Sequence, residues 1–376
     1  RDGKEASCQS AVAHVISYCL QLGQSAPTSD TGDYCRARAK LSEHAIHELA
    51  GDVASEMEQA APQNWLWKSL HPKLIDGFTF TMPDTAENQA EYPQQKAQKP
   101  GLGQPIARVA TVLSLATACV LDAAIGPYQG KQTGENALLR TLLHSFGKAD
   151  VAVADRYYCS FMMIVLMLSQ GTQVCARKHQ LRHTDFRRGK RLGKNDHIIA
   201  WKKPPRPQWM DQETYQEIAP VLLLRELRYQ VIEKGRRTRT LTIITTLLDP
   251  EQYTLEEIAQ LYGFRWNVEL DIRSIKDSLN LGHVRCKSPE MVRREFWTTL
   301  LAYNLIRTTA AGAALLHDKQ PRQVSFTATC QYVLASWMSM ATGTIKDPAM
   351  QRFIEALLLR LIQCEVAHRP GRIEPR

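Results

Sequence analysis

The sequence lacks the features that mark membrane proteins, disulfide-rich proteins and nucleotide-binding enzymes. Its longest apolar stretches, residues 109–121 and 161–168, fall short of the ~20 residues of a membrane-spanning helix. Its nine cysteines are scattered without a CxxC pair, which favours reduced thiols over disulfides or structural zinc. Gly101 and Gly103 are not followed by the lysine of a phosphate-binding loop. We therefore expect a cytoplasmic protein that neither enters a membrane nor binds ATP.

The length and composition are those of a folded protein with more than one domain. The chain has 376 residues, of which 44% are hydrophobic. A hydrophobic fraction of this size excludes a disordered chain, and a domain usually has about 100 to 200 residues. We therefore expect two or three domains. Because the first residue is Arg1 instead of Met, we also expect a fragment or a processed product.

The positive charge is concentrated in one segment. Residues 177–206 contain eleven Lys and Arg but two Asp, a net charge of +9 that equals the net charge of the whole chain. Such a segment favours a polyanion such as nucleic acid, because each bound phosphate releases counterions. A solvated loop has the same composition. Aromatic rings in and beside the segment could stack on unpaired bases; they are His179, His183, Phe186, Trp201 and Trp209. The spacing of His179 and His183 suits zinc, but no neighbouring Cys or Glu completes a ligand set.

Hydrophobic periodicity predicts an α/β core with an inserted β-rich segment. Strand-like runs at 74–82, 108–115 and 118–125 are followed by a helix at 134–146, a strand at 151–154 and a helix at 157–168. Between 178 and 248 the sequence is polar, with β-like runs at 197–201, 223–231 and 238–247. Helical patterns also cover 10–57, with a break at 23–32, and then 254–279, 290–314 and 348–366. We therefore expect a mixed sheet interrupted by a mostly β insertion and flanked by helical regions.

One predicted helix carries a polar stripe beside its buried face. At about 100° per residue, five polar side chains fall within an arc of roughly 80°; they are Tyr262, Arg265, Glu269, Arg273 and Lys276. Apolar side chains between residues 261 and 279 fall directly beside this arc, which predicts that the stripe borders a cleft. An arginine four residues to either side of Glu269 is also typical of weak surface ion pairs. The stripe alone leaves both interpretations open.

Four of these side chains resemble, in order and spacing, the YREK signature of bacterial insertion-sequence transposases with a DDE active site; they are Tyr262, Arg265, Glu269 and Lys276. The resemblance implies that Glu269 is the third metal-binding carboxylate and that the other three side chains hold phosphates at the transposon end. Trp266 matches a family tryptophan that helps to hold distorted terminal bases, with core packing as the alternative. Arg273 and Arg156 are further candidate DNA contacts.

Two aspartates occur where the same family places its other metal ligands. Asp76 lies inside an apolar predicted strand, where a carboxylate is costly to bury unless it binds a ligand. Asp155 ends the fourth predicted strand. Their contexts, Leu-Ile-Asp-Gly-Phe-Thr and Val-Ala-Asp-Arg-Tyr-Tyr, resemble the two aspartate motifs, except that Phe78 replaces the usual Thr or Ser. Asp84 and Asp122 are the alternatives for the first aspartate, and capping of the next helix is the alternative for Asp155.

The resemblance extends over about residues 74–307 and implies an RNase H-like mixed sheet. In that fold the first aspartate lies on the first strand, the second lies beside the fourth, and a mostly β insertion precedes the glutamate helix. The interval of 114 residues from Asp155 to Glu269 is too long for a plain α/β connection, which also favours an insertion. The expected regions are a helical, DNA-contacting region at 1–62, a catalytic core at 63–177 and 249–316, a basic β-rich insertion at 178–248 and a helical region at 317–376.

The implied enzyme is a DNA transposase that uses a two-metal mechanism. Asp76, Asp155 and Glu269 would hold two Mg²⁺ ions, for which Mn²⁺ can substitute, and water would cleave the phosphodiester at each transposon end. The freed 3′-OH would form a hairpin on the transposon end, which a second water opens before strand transfer. The implied partners are double-stranded DNA and a second copy of the chain. The alternatives are a nuclease or resolvase without strand transfer and a non-catalytic DNA-binding protein derived from a transposase.

Overall fold

The protein folds as a mixed α/β structure, seen in a computed structural model that describes residues 7–99, 101–231, 239–341 and 349–366. The strands are β1 (His71–Thr81), β2 (Ile106–Ser114), β3 (Val120–Pro127), β4 (Asp150–Ala154), β5 (Gln173–Arg177), β6 (Lys190–Gly193), β7 (Asp196–Lys202), β8 (Val221–Val231) and β9 (Arg239–Thr245). The helices are α1 (Cys8–Gln21), α2 (Gly32–Ala39), α3 (Glu43–Gln59), α4 (Ala86–Glu91), α5 (Glu135–Thr141), α6 (Phe161–Ser169), α7 (Gln212–Glu217), α8 (Leu255–Gly263), α9 (Trp266–Arg273), α10 (Pro289–Leu316), α11 (Phe326–Ala341) and α12 (Ala349–Leu361). Within the described ranges, none of these helices combines the length and the apolar character needed to cross a membrane.

The strands form one mixed sheet in the order β3-β2-β1-β4-β5-β9-β8-β7-β6. β1 and β2 are antiparallel, as are β2 and β3. β4 runs parallel to β1, and β5 runs parallel to β4. The first five strands therefore confirm the mixed, RNase H-like sheet that the sequence predicts.

The strands of the predicted β-rich insertion extend this sheet. β9 pairs antiparallel with β5, where Cys175 lies opposite Thr245, and β8, β7 and β6 follow as antiparallel neighbours. Leu227 of β8 belongs to the same apolar cluster as Val153 of β4. Residues 178–248 thus share a core with the strands that precede them, and the domain boundaries given above stay a prediction.

Two apolar clusters cover the two faces of the sheet. On one face, Leu74 of β1 belongs to a cluster with Phe296 of α10 and with residues of α8 and α9. On the other face, Ile75 packs in a cluster with Leu139 of α5 and with α6. Because side chains alternate along a strand, Asp76 faces the same side as Leu74. The first predicted catalytic residue therefore lies on the side of the sheet that α9 covers.

The helix predicted over 254–279 is divided into three parts, so the prediction of one continuous helix is wrong. α8 begins with a capping box in which Thr254 and Glu257 satisfy each other's backbone N–H groups. A break separates α8 from α9, and a π-helical turn at Ser274–Ser278 follows α9. Angles calculated for one ideal helix do not hold across these interruptions.

The helix predicted to follow Asp155 begins several residues later than expected. α6 starts at Phe161, and its N-cap Ser160 accepts a hydrogen bond from the N–H of Met163 at 3.2 Å. Oδ1 of Asp155 instead accepts from the N–H of Tyr157 at 2.6 Å. Asp155 therefore shapes the loop after β4 and does not cap α6, which removes the alternative role considered for it.

Candidate active site

β1 and β4 bring Asp76 and Asp155 to the same part of the sheet. The two strands are parallel, and Ile75 lies opposite Ala154. Asp155, the first residue after β4, therefore leaves the strand beside Asp76, and neighbouring strands lie about 4.8 Å apart. This is the placement that the family resemblance implies, although the catalytic roles of both residues stay a prediction.

Asp76 lies where its negative charge is poorly stabilised. Its side chain is 22% exposed, and its Oδ1 accepts from the N–H of Gly77 at 2.9 Å. Burial raises the pKa of Asp76 to about 6. The negative charges of Asp155 and Glu135 act in the same direction, while the Gly77 N–H and Arg265 oppose them. The site therefore has less positive charge than its carboxylates require.

Arg265 connects Asp76 to Glu269. It lies in the break between α8 and α9, and its Nη2 is 2.5 Å from Oε1 of Glu269. Its Nη1 is 3.4 Å from Oδ2 of Asp76. After these two contacts the guanidinium still has N–H groups that can donate. The three carboxylates predicted as ligands therefore approach one site from β1, from the end of β4 and from α9.

The other predicted stripe residues do not form one exposed surface. Tyr262 is 6% exposed and packs in the core beside α10, and burial raises the pKa of its hydroxyl. Trp266 is 56% exposed, so core packing is wrong as its explanation. Arg273 is exposed, and Lys276 is half-buried in the π-helical turn. The prediction of a single polar stripe is wrong because the helix breaks between Tyr262 and Trp266.

Three of the aromatic rings in and beside the basic segment contact guanidinium groups of the protein itself. Arg182 lies 3.7 Å from the ring centre of Trp201, Arg140 lies 4.1 Å from that of Trp209, and Arg228 lies 4.9 Å from that of Phe186. Trp201 is also buried, so the prediction that it stacks on a base is wrong. Arg156 is exposed, and its Nη1 donates to Oε1 of Gln180 at 2.7 Å.

Glu135 packs over Gly77, the residue after Asp76, and the sequence analysis does not predict this contact. It is the first residue of α5, and its Oε2 accepts from the hydroxyl of Tyr158 at 3.1 Å. Burial raises the pKa of Glu135, and the charge of Asp155 adds to this effect. The signal that could have found it is Gly77, since a glycine inside a strand often marks the close approach of another group.

The two alternative aspartates make structural contacts elsewhere. Asp122 in β3 binds His47 at 2.9 Å and His144 at 3.0 Å, and it accepts from the hydroxyl of Ser145 at 2.8 Å. Asp84 accepts from the amide of Gln89 at 2.7 Å. Neither contact set includes Asp155 or Glu269, which leaves Asp76 as the candidate for the first aspartate.

The donor atoms of the site suit a hard divalent cation. Carboxylate oxygens are the ligands that Mg²⁺ and Mn²⁺ prefer, and the raised pKa of Asp76 marks a position where added positive charge is favourable. In the described residues, no three His, Cys, Asp or Glu side chains already stand close enough together to hold a metal ion. The residues present therefore fit such an ion in chemistry, and its binding requires the carboxylates to draw closer.

The chain is similar to known transposases. Residues 72–305 match the family described as Transposase DDE domain. The chain is 27% identical over 317 residues to the transposase InsG for insertion sequence element IS4 of Escherichia coli strain K12, a match that covers 81% of this chain and 67% of InsG. A shorter match of 64 residues is 34% identical to the transposase for insertion sequence element IS421 of Escherichia coli and covers 17% of each chain. A piggyBac transposase synaptic complex with hairpin DNA aligns with 77% of this chain and 57% of that chain, at 8% identity and a TM-score of 0.43. Because the family match spans more than half of the sequence, the chain belongs to the transposase DDE domain family, and its function is that of a DNA transposase.

Proposed function

We propose that this transposase cleaves the phosphodiester bonds at the ends of an insertion sequence and joins the freed 3′-OH groups to target DNA. Asp76, Asp155 and Glu269 are the residues that would hold divalent metal ions, Mg²⁺ or Mn²⁺. The observation that carries this proposal is that Asp155 leaves β4 beside Asp76, while Arg265 joins Asp76 to Glu269. Bound ions of this kind activate water and stabilise charge on the scissile phosphate.

The remaining side chains of the YREK-like set would hold the DNA. Arg265 has N–H groups to share between the carboxylates and a phosphate oxygen. Lys276 supplies a second positive charge on the same segment. Trp266 is exposed one residue after Arg265 and can contact a base at the DNA end. Tyr262 is buried beneath them, so it would act through a small opening of the site or as support for Arg265.

The exposed cations around β6 would bind the DNA backbone away from the cut. They are Arg187, Arg188, Lys190, Arg191 and Lys194. β6 is the outermost strand of the sheet, so its free edge can approach a duplex. Phosphate contacts of this type position DNA without reading its sequence. We also propose that the protein acts in the cytoplasm, without ATP, and that two copies pair the two transposon ends.

Substitution of Glu269 tests the catalytic proposal. The Glu269→Gln variant should bind DNA that carries the element's ends but lose Mg²⁺-dependent nicking by at least about a thousandfold, because removal of a group that organises the transition state has effects of this size. Glu290→Gln, which changes an exposed glutamate that pairs with Arg294, is the matched control and should keep full activity.

A DNA end that is already cut distinguishes the alternatives. A transposase joins its 3′-OH to a second duplex, whereas a nuclease or resolvase does not. Nicking that persists in Glu269→Gln would remove Glu269 from the site, and DNA binding without nicking by the unsubstituted chain would favour the non-catalytic alternative.

A further inference from the structure

We propose that Asp271 is a positioning residue, which fixes the rotation of α9 and thereby the direction of Glu269. This inference rests on the proposed function, in which Glu269 holds a metal ion. Asp271 lies on the same short helix, two residues after Glu269. At about 100° per residue, the two side chains leave the helix on nearly opposite sides. Asp271 therefore points away from the site and can act on it only through the helix.

The rotation of α9 is weakly fixed by its own backbone. The helix has eight residues, a break precedes it and a π-helical turn follows it. Arg265 at its N-cap makes no side-chain capping bond. Val268 and Ile272 are buried on its inner face, but apolar contacts have little directional preference. Directional contacts are therefore the ones that can hold α9 in one rotation.

Two arginines hold the buried carboxylate of Asp271, which is 1% exposed. Nη2 of Arg307 in α10 donates to its Oδ1 at 2.8 Å, and Nη1 of Arg322 lies 2.8 Å from its Oδ2. Arg322 belongs to the 3₁₀ turn Pro321–Gln323, which follows α10. Because each oxygen of Asp271 has its own cation, α9 cannot rotate without breaking at least one of the two contacts.

Arg322 connects Asp271 to the main sheet. Its Nε donates to the carbonyl oxygen of Leu115 at 2.7 Å, and its Nη2 donates to that of Ser114 at 2.9 Å. Ser114 ends β2 and lies opposite Lys73 of β1. β1 is the strand that carries Asp76. The contact therefore fixes α9 relative to the same pair of strands that fixes Asp76.

Arg307 is held by the turn between β2 and β3. Its Nε donates to the hydroxyl of Tyr303 at 2.9 Å, and that hydroxyl donates to the carbonyl oxygen of Ala118 at 3.0 Å. Asn304, the next residue of α10, accepts from the N–H of Val120 at 2.8 Å. Both arginines that hold Asp271 are thus fixed by hydrogen bonds to the β2–β3 hairpin.

Fold stability alone does not require these charges. Apolar residues of similar volume often serve a core as well as a buried ion pair does, whereas a hydrogen-bonded pair favours one arrangement. A rotation of α9 by about 20° would move a side chain that ends about 5 Å from the helix axis by about 2 Å. Catalytic groups have to lie within about 0.5 Å of their working positions. The rotation that Asp271 sets therefore decides whether Glu269 reaches its position beside Asp76 and Asp155.

Replacement of the ion pair by apolar residues tests this role in the full chain. The double variant Asp271→Leu with Arg307→Met should stay folded, because both charges leave the core together. Amide hydrogen exchange should become faster in residues 266–273. The Mg²⁺ concentration for half-maximal nicking of DNA with the element's ends should rise by about 10- to 100-fold. The Kd for that DNA without Mg²⁺ should not change.

The matched control replaces a second buried pair of the same chemistry. Arg225 of β8 pairs with Asp196 of β7, and Asp196→Leu with Arg225→Met should leave both measurements of the first variant unchanged. Arg322→Lys is a milder test, because an ammonium keeps the charge but cannot replace the guanidinium fork. It should shift both measurements in the same direction by less, and it decides the question if the double variant at Asp271 unfolds.

Faster exchange in α9 with an unchanged Mg²⁺ requirement would overturn the positioning role, since Asp271 would then only support the fold. An unchanged exchange rate in α9 would overturn it as well. Failure of the proposed function gives a different result, namely nicking by Glu269→Gln at the rate of the unsubstituted chain.

Discussion

Two groups of charged side chains on the same sheet differ in whether each charge has an oppositely charged partner. In β7 and β8, Arg225 pairs with Asp196 through Nε–Oδ1 at 2.8 Å, and all of these atoms are buried. Glu226 binds Lys178 through one oxygen and His197, at 3.0 Å, through the other. Each charge in this group therefore has a partner.

The group at β1 and β4 has more acids than cations. Asp76 and Glu269 share Arg265, while Asp155 and Glu135 have no ion pair in the part of the chain that the structure describes. The matched charges stabilise the fold, whereas the unmatched carboxylates lie where Asp76, Asp155 and Glu269 are predicted to bind a cation. The following substitutions should separate these two kinds of charge.

The largest effect on stability should come from the matched group. Arg225→Met leaves Asp196 buried without its cation and should lower the free energy of unfolding by about 3 to 5 kcal/mol. Urea denaturation measures this loss. The double variant with Asp196→Asn removes both charges and should recover most of it. A single variant that loses less than about 1 kcal/mol would contradict the difference between the two groups.

Removal of a charge from the group at β1 and β4 should raise the free energy of unfolding instead of lowering it. Asp76→Asn should abolish nicking but raise the free energy of unfolding by about 1 to 3 kcal/mol at pH 8 without divalent ions, since one pKa unit corresponds to about 1.4 kcal/mol. The pKa of Asp76 is raised from 3.8 to about 6 in the folded state. Its destabilising effect is therefore absent below pH 4, grows between pH 4 and 6 and is complete above pH 6. Urea denaturation at pH 8 and pH 4 checks this, and an equal gain at both pH values would contradict it.

The smallest effect on stability should come from a partly buried histidine–glutamate pair at the start of β1. Nδ1 of His71, at the start of β1, lies 2.9 Å from Oε1 of Glu58 in α3, and this hydrogen bond raises the pKa of His71. The pair should stabilise the fold fully below pH 6.5, and the contribution should be lost as the pH rises through the raised pKa. His71→Gln should therefore cost about 1 kcal/mol at pH 6 and little at pH 9, as measured by thermal unfolding. A cost that does not depend on pH would mean that the charge of His71 is not involved.

Local sequence patterns were sufficient for the parts of the site that lie on regular elements. A short apolar run that ends in Asp155 predicts a buried strand with a carboxylate at its end, and the register of β4 with β1 agrees with that expectation. Asp76 could be found because a charged residue in an apolar strand needs a reason to be there. Glu269 depended on the spacing of its neighbours and on the family resemblance.

The remaining features depend on contacts between distant residues. The pairing of Cys175 with Thr245, which joins the insertion to the main sheet, leaves no mark in either local pattern. No proline and no pair of glycines marks the break before Trp266, so the sequence does not predict it. The side-chain angles calculated for one continuous helix were therefore wrong. Glu135 begins an ordinary helix, and its position over Gly77 becomes visible only in the structure.

The continuous sheet also fixes the distance between the candidate site and the basic edge strand β6. β6 lies five strand spacings from β4, which is roughly 24 Å at about 4.8 Å each. Duplex DNA rises about 3.4 Å per base pair, so this span equals about seven base pairs. Because hydrogen bonds fix the spacing between the strands, the basic edge stays at a constant distance from the carboxylates. In the proposed complex, the basic edge would therefore contact the duplex about seven base pairs from the scissile phosphate.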